Sequence, residues 1–185
     1  MKKVYNVGLV GFGFIGKVHA YGYRNLPLFY DQEEFGVRIV KVAASRPESA
    51  AKAARLLGDG VRAVTDFREI TEDPEIDIVD IASPNANHRD VLLSAIARGK
   101  HIYCDKPLTA TVAEACEVAA ALAHYKGIGQ MTLQNRFFPA TLRAKQLIDA
   151  GRIGEVLEFS GQYLHSGSAD PEAPWKWKLE AGTIA

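Results

Sequence analysis

Cysteine is scarce in this sequence: among 185 residues there are two, Cys104 and Cys116. Their spacing fits no zinc or dithiol motif, and so few thiols exclude a disulfide-stapled secreted scaffold and suit a reducing compartment. An excess of one charge is also lacking, since Lys+Arg and Asp+Glu both number 22. No global field draws the chain to DNA, RNA or an anionic membrane, so neither nucleic acid nor membrane is expected as a partner. No apolar run approaches the ~20 residues of a membrane span. The apolar start that follows MKK runs into glycines and offers no small-residue cleavage site, so it reads as a first strand and not as a signal peptide. A cytoplasmic location is the default expectation, and no metal site is expected. Internal repeats and low-complexity tracts are missing too. What remains, 48% hydrophobic and 24% charged, is the make-up of a globular protein with a real core.

The apolar residues fall into short runs at Val4 to Val10, Val37 to Ala44, Ile76 to Ala82, His101 to Cys104 and Ile128 to Leu133, with helix-period segments between them. Runs such as VRIVKVAA and IDIVDIA lack polar alternation, as strands covered on both faces do. This predicts an α/β fold with a parallel sheet, and VRAVT at 61–65 adds an edge strand. Between them, helices are expected over 14–26, over 86–98 with Val91, Leu92, Ala95 and Ile96 inward, and over 111–124 with Val112, Cys116, Ala119 and Ala123 on one face. Thr111 followed by Glu114 is a capping-box pattern. Gly99 and Gly127 stop the last two helices.

After Leu133 the pattern changes. Pro139 opens a helix with Ala140, Ala144, Leu147 and Ile148 on one face, and Gly151 closes it. EVLEFSGQYLH then alternates as an antiparallel strand would, with Leu157, Phe159 and Tyr163 on the same side. We therefore divide the chain into residues 1–133, a Rossmann doubly wound parallel sheet, and residues 134–185, the start of a truncated, mostly antiparallel α+β second domain. An uncovered apolar strand face predicts self-association through that second part, as a homo-oligomer.

Gly11, Gly13 and Gly16 spell G-x-G-x-x-G directly after a strand and at the head of a helix. In that context the first glycine permits the tight turn, the second lets a pyrophosphate approach the backbone and the third lets the helix pack on the strand. The segment Gly11, Phe12, Gly13, Phe14, Ile15, Gly16 is thus the expected grip on a dinucleotide, with the helix N-terminus facing the anion. The second strand ends AASRPESA, so its tip offers Ser45 and Arg46 and no acid to hold a ribose 2′-hydroxyl. That favours NADP, with NAD as the other form. A surface arginine that merely begins a helix is the alternative reading of Arg46. The interval from Gly11 to Ser45 exceeds the usual ~20 residues, and the insert PLFYDQEEFG accounts for the excess.

Ligands of open α/β sheets sit beyond the carboxyl ends of the strands. Two segments emerge there: Ser83, Pro84, Asn85 and His88 after the fourth strand, and Asp105 with Lys106 after the fifth. Lys106 could hold the oxygen of a hydride acceptor or shift the pKa of a neighbour. The plainer alternatives are that His88 sits satisfied beside its helix and that Lys106 pairs with Asp105 at the surface.

The ordered set GFGFIGKVHA, ASPNANH, GKHIYCDKPLT and NRFFPATLRAKQLIDAGRIGEV resembles the Gfo/Idh/MocA oxidoreductases, over nearly the whole chain. The resemblance implies hydride transfer between NAD(P) and a hydroxyl or carbonyl carbon of a small-molecule sugar, polyol or cyclitol. Lys106 and Pro107 match the family's E-K-P lysine and proline, with Asp105 one methylene shorter than the usual acid, which marks Lys106 as catalytic. Asn85 and His88 match residues near the nicotinamide; Asn135, Arg136 and Pro139 match the segment joining the family's two domains. The family's downstream Asp and His are not found before LEAGTIA, so weak turnover is expected of the chain as given. A non-catalytic NADP-binding sensor or regulatory module is the alternative.

Overall fold

The computed structural model describes residues 2–30, 34–166, 169–172 and 174. Six strands form one sheet: β1 (Lys3–Val10), β2 (Phe35–Ala43), β3 (Arg62–Val64), β4 (Ile78–Ile81), β5 (His101–Cys104) and β6 (Gly129–Met131). All pairings are parallel, in the order β3-β2-β1-β4-β5-β6. Parallel neighbours need crossover helices, and these are α1 (Phe14–Phe29), α2 (Pro47–Leu57), α3 (Arg68–Thr71), α4 (His88–Ala97) and α5 (Val112–Ala121). The order reverses between β1 and β4, and at such a switch point the connections leave on opposite faces and open a crevice at the strand ends. The expected doubly wound sheet is therefore present.

Two apolar clusters hold it. Val79, Ile81, Val91, Leu92, Ala95 and Val118 pack with their neighbours on one side, while Leu9, Val42, Ala53 and Ala54 form a smaller group. The inward face of α4 is the expected one: Val91, Leu92 and Ala95 are buried. Helix α5 departs from expectation. Thr111 and Glu114 do form the capping box, but the helix buries Val118 and leaves Val112 81% exposed. Alanines lie on every side of this helix, so its sequence sets the buried face only weakly. Helix α1 runs three residues past its expected end at Leu26, with Pro27 inside its last turn. The short helix α3, whose Ile70 is fully buried, was not foreseen.

The chain divides into two compact units, one holding Met1–Thr132 and the other beginning at Leu133. In the second, α6 (Pro139–Asp149) begins at Pro139 as expected, and Gly151 follows it with φ +66°. Its expected apolar face is exposed, apart from half-buried Leu147. The strand expected over 155–165 is not formed: Leu157 and Phe159 are each 89% exposed, and no ladder partner is present among the described residues. A strand is stable only against a neighbour, so alternation alone did not suffice. The glycine-containing end LEAGTIA lies outside the described residues.

Candidate active site at the sheet switch point

Three chain segments meet at the carboxyl edge between β1 and β4. The first is the glycine turn. Gly11 has φ +94°, and a Cβ there would lie 2.7 Å from the backbone of Ala82 and Ser83. A Cβ on Gly16 would collide with the carbonyl oxygen of Gly11, so the helix is seated directly on the turn. Gly13, the residue before α1, is different: a Cβ there would meet nothing within 4 Å. Only at Gly13 is the absent side chain not demanded by the protein's own packing, which is what an approaching ligand requires. Helix α1 has no side-chain cap and no acid in its first turn, so nothing competes with an anion for its N-H groups. Phe12 and Ile15 are half-buried around this turn, while Phe14 is 80% exposed beside it.

The second segment is the tip of β2. Ser45 and Arg46 are both exposed, and Arg46 has no side-chain partner among the described residues. Pro47 is the first residue of α2 and Glu48 lies in its first turn, as expected.

The third comprises the loops after β4 and β5, locked to the strands by Ala82 N to Val10 O and Asp105 N to Ile81 O, both 2.8 Å. Asn85 opens a 3-10 turn that leads into α4 at His88. His88 is 1% exposed. Its Nδ1 lies 2.9 Å from the carbonyl oxygen of Pro107 and its Nε2 2.9 Å from that of Ser83. The ring therefore sits between the two loops with N–H donating to carbonyl oxygen, which is the satisfied-histidine alternative in a stronger form. Ser83 Oγ and Asn85 Oδ1 are buried without a hydrogen-bond partner. Orphan buried polar atoms are rare and costly; a third among the described residues is Asp80 Oδ2 in β4, and these two belong to the loop that emerges at the switch point.

Lys106 does not pair with Asp105. The Asp105 carboxylate accepts a 2.8 Å hydrogen bond from Thr132 Oγ1, and Lys106 is exposed without a side-chain partner among the described residues, preceding Pro107 across a cis peptide bond. Cys104, next to His88, is buried, and that burial pushes its thiol up to about 12. It stays protonated and is neither nucleophile nor ligand. Among the described residues no group of three or more His, Cys, Asp and Glu is placed to hold a metal ion, and no helix is long and apolar enough to cross a membrane. Asn135 and Arg136 lie on an exposed 3-10 turn of the second unit.

Sequence reasoning passed over one cluster. Asp80 is fully buried in β4, and its carboxylate meets His19 Nδ1 of α1 at 2.8 Å. Tyr103 of β5 lies beside His19 at 5.0 Å between ring centroids, its ring tilted by 52°. The signal was present: a charge inside the apolar run IDIVDIA needs a partner.

The profile described as "Oxidoreductase family, NAD-binding Rossmann fold" matches residues 5–132. The chain belongs to the Gfo/Idh/MocA oxidoreductase family. Among its curated relatives, levoglucosan dehydrogenase of Pseudarthrobacter phenanthrenivorans is 40% identical over 95% of this chain and 45% of its own length. Inositol 2-dehydrogenase 2 of Saccharopolyspora erythraea is 31% identical over 88% of this chain and 46% of its own. A solved levoglucosan dehydrogenase in complex with NADH and levoglucosan superimposes with a TM-score of 0.91 at 37% identity, over 96% of this chain and 48% of that one. The chain thus spans about half the length of the Gfo/Idh/MocA relatives it matches.

Proposed function

We propose that this chain binds a nicotinamide dinucleotide across the switch point and forms the cofactor half of a dehydrogenase acting on a CH–OH carbon of a sugar, anhydrosugar, polyol or cyclitol. The observation that carries the reading is the glycine turn, where packing forbids side chains at Gly11 and Gly16 and leaves Gly13 open. The residues fit the group. The first turn of α1 and the Gly13 backbone would receive the pyrophosphate. Ser83 Oγ and Asn85 Oδ1 would gain the hydrogen bonds they lack, while His88 holds their loop in place from behind. Bound nicotinamide supplies a carbon that accepts or donates hydride. Lys106 would then hold the substrate oxygen at Nζ and stabilise negative charge developing there. The relatives' substrates, levoglucosan and inositol, support a polyhydroxylated ring as the reacting class.

The solved relative carries NADH, which supports NAD(H) here. One observation favours NADP instead: Arg46 is exposed and unpartnered at the tip of β2, with no acid at that strand end. Fluorescence titration with NADH and NADPH at low salt decides between them. Tighter NADPH binding that Arg46→Ala abolishes supports the phosphate reading; equal or tighter NADH binding removes it. Failure of both to saturate would overturn the cofactor assignment. Association through the exposed Leu157, Phe159 and Tyr163 is proposed as well, and a monodisperse monomer in light scattering at high concentration would contradict it.

A further inference from the structure

His19 and Asp80 lie outside the phosphate turn and the Lys106 loop, yet they connect the two. His19 sits on α1 six residues beyond Gly13, about 9 Å along the helix axis at 1.5 Å per residue. Its side chain is 8% exposed and that of Asp80 is fully buried. Asp80 stands in β4 opposite Leu9 of β1 and Tyr103 of β5, two residues before the Ala82 backbone that closes over Gly11. The groups facing the pair are Tyr23 from α1, Tyr103 and Cys104 from β5 and Asp105 from the start of the Lys106 loop.

We propose that His19 and Asp80 hold one shared proton beneath the dinucleotide site, and that loss of this proton leaves a buried negative charge that weakens binding of the anionic cofactor. With the proton, the pair is neutral overall, whether it is written as imidazolium with carboxylate or as imidazole with carboxylic acid. Without it the pair carries one net negative charge, behind the same helix whose N-terminus receives the pyrophosphate and close to Asp105. His19 and Asp80 are therefore positioning residues with an electrostatic role, and the inference rests on the dinucleotide reading above.

The direction of titration agrees with the geometry. Burial lowers the basicity of His19, but the hydrogen bond and charge of Asp80, with help from Asp105, outweigh it and hold His19 above its ordinary 6.5. Burial also raises Asp80, against the opposing pull of His19 and Tyr23. The folded chain thus keeps a proton at a pH where the unfolded chain has lost it. Its contribution to stability is full below about 6.5 and is lost as pH rises through the folded value. By linkage, binding of an anion keeps the proton on the pair to still higher pH.

The test is calorimetric titration of the 185-residue chain with NADH, in buffers of different ionisation enthalpy, from about pH 6 to pH 9. We expect proton uptake on binding and an affinity that falls by roughly three- to tenfold across the range. His19→Asn removes the ring and leaves Asp80 as the pair's one titrating group, so its affinity-against-pH profile and proton uptake should differ from those of the native chain. Asp80→Asn should do the opposite and retain the tight, low-pH affinity at high pH. A merely structural pair would weaken in both variants. An unchanged pH profile and proton uptake in His19→Asn, or weakening by Asp80→Asn at every pH, overturns the inference while leaving the dinucleotide reading intact. If Asp80→Asn does not fold, the His19 imidazole resonances of the cofactor-free chain still decide: titration at or below 6.5 contradicts the shared proton. No binding at any pH overturns both readings.

Discussion

The glycine turn after β1 and the loops after β4 and β5 face the same crevice but are built in opposite ways. The turn works by omission: Gly11 and Gly16 have no side chain because the Ala82 backbone and the Gly11 carbonyl occupy the space, and Gly13 has none although its space is empty. The loops work by committed side chains, with His88 seated between two carbonyl oxygens and Asp105 fixed by Thr132. A site made of backbone is intolerant of any added atom, whereas a site made of side chains is vulnerable to loss of a partner. Lys106 stands apart from both, since it is exposed and has no side-chain partner among the described residues.

That contrast can be broken by substitution. Gly11→Ala adds a Cβ at φ +94° and 2.7 Å from backbone, so it should cost about 3 kcal/mol or more in chemical denaturation. A smaller loss would mean that the turn relaxes and its packing is not as described. His88→Ala strands the Ser83 and Pro107 carbonyls and opens a cavity, for a loss of about 2 to 4 kcal/mol. Wild-type stability in that variant would show that the ring is dispensable. Gly13→Ala sharpens the comparison most: stability should fall by less than about 1 kcal/mol, while NADH affinity drops about tenfold or more. Lys106→Ala should leave the melting temperature unchanged and reduce any sugar or polyol oxidation by about 100-fold; an altered melting temperature with unaltered turnover would make Lys106 structural.

The two regions also differ in how legibly the sequence announces them. Gly11, Gly13 and Gly16 could be read directly, because G-x-G-x-x-G between a strand and a helix is a contiguous pattern, of which Gly11 meets the positive φ and Gly16 the forbidden Cβ. The parallel sheet was legible from VRIVKVAA and IDIVDIA, whose mostly apolar character without polar alternation is itself a sign of burial on both faces. His88 was singled out, but its two carbonyl partners lie 5 and 19 residues away, and no spacing rule reaches them. His19 and Asp80, 61 residues apart, were visible only as a charge in an apolar strand and a histidine in a helix. Helix α5 shows the opposite limit, since too uniform a helix hides its phase. The alternation over 155–165 was equally plain and still formed no strand, because a ladder needs a neighbour that sequence pattern cannot supply.

The central claim, that the empty space at Gly13 belongs to a nicotinamide dinucleotide, is tested most directly by titrating NADH into the native chain and into Gly13→Ala at matched temperature and pH. The account predicts saturable binding to the native chain, and binding weakened about tenfold or more in the variant with its fold intact. Equal affinity in the two proteins, or no saturation in the native one, would contradict it.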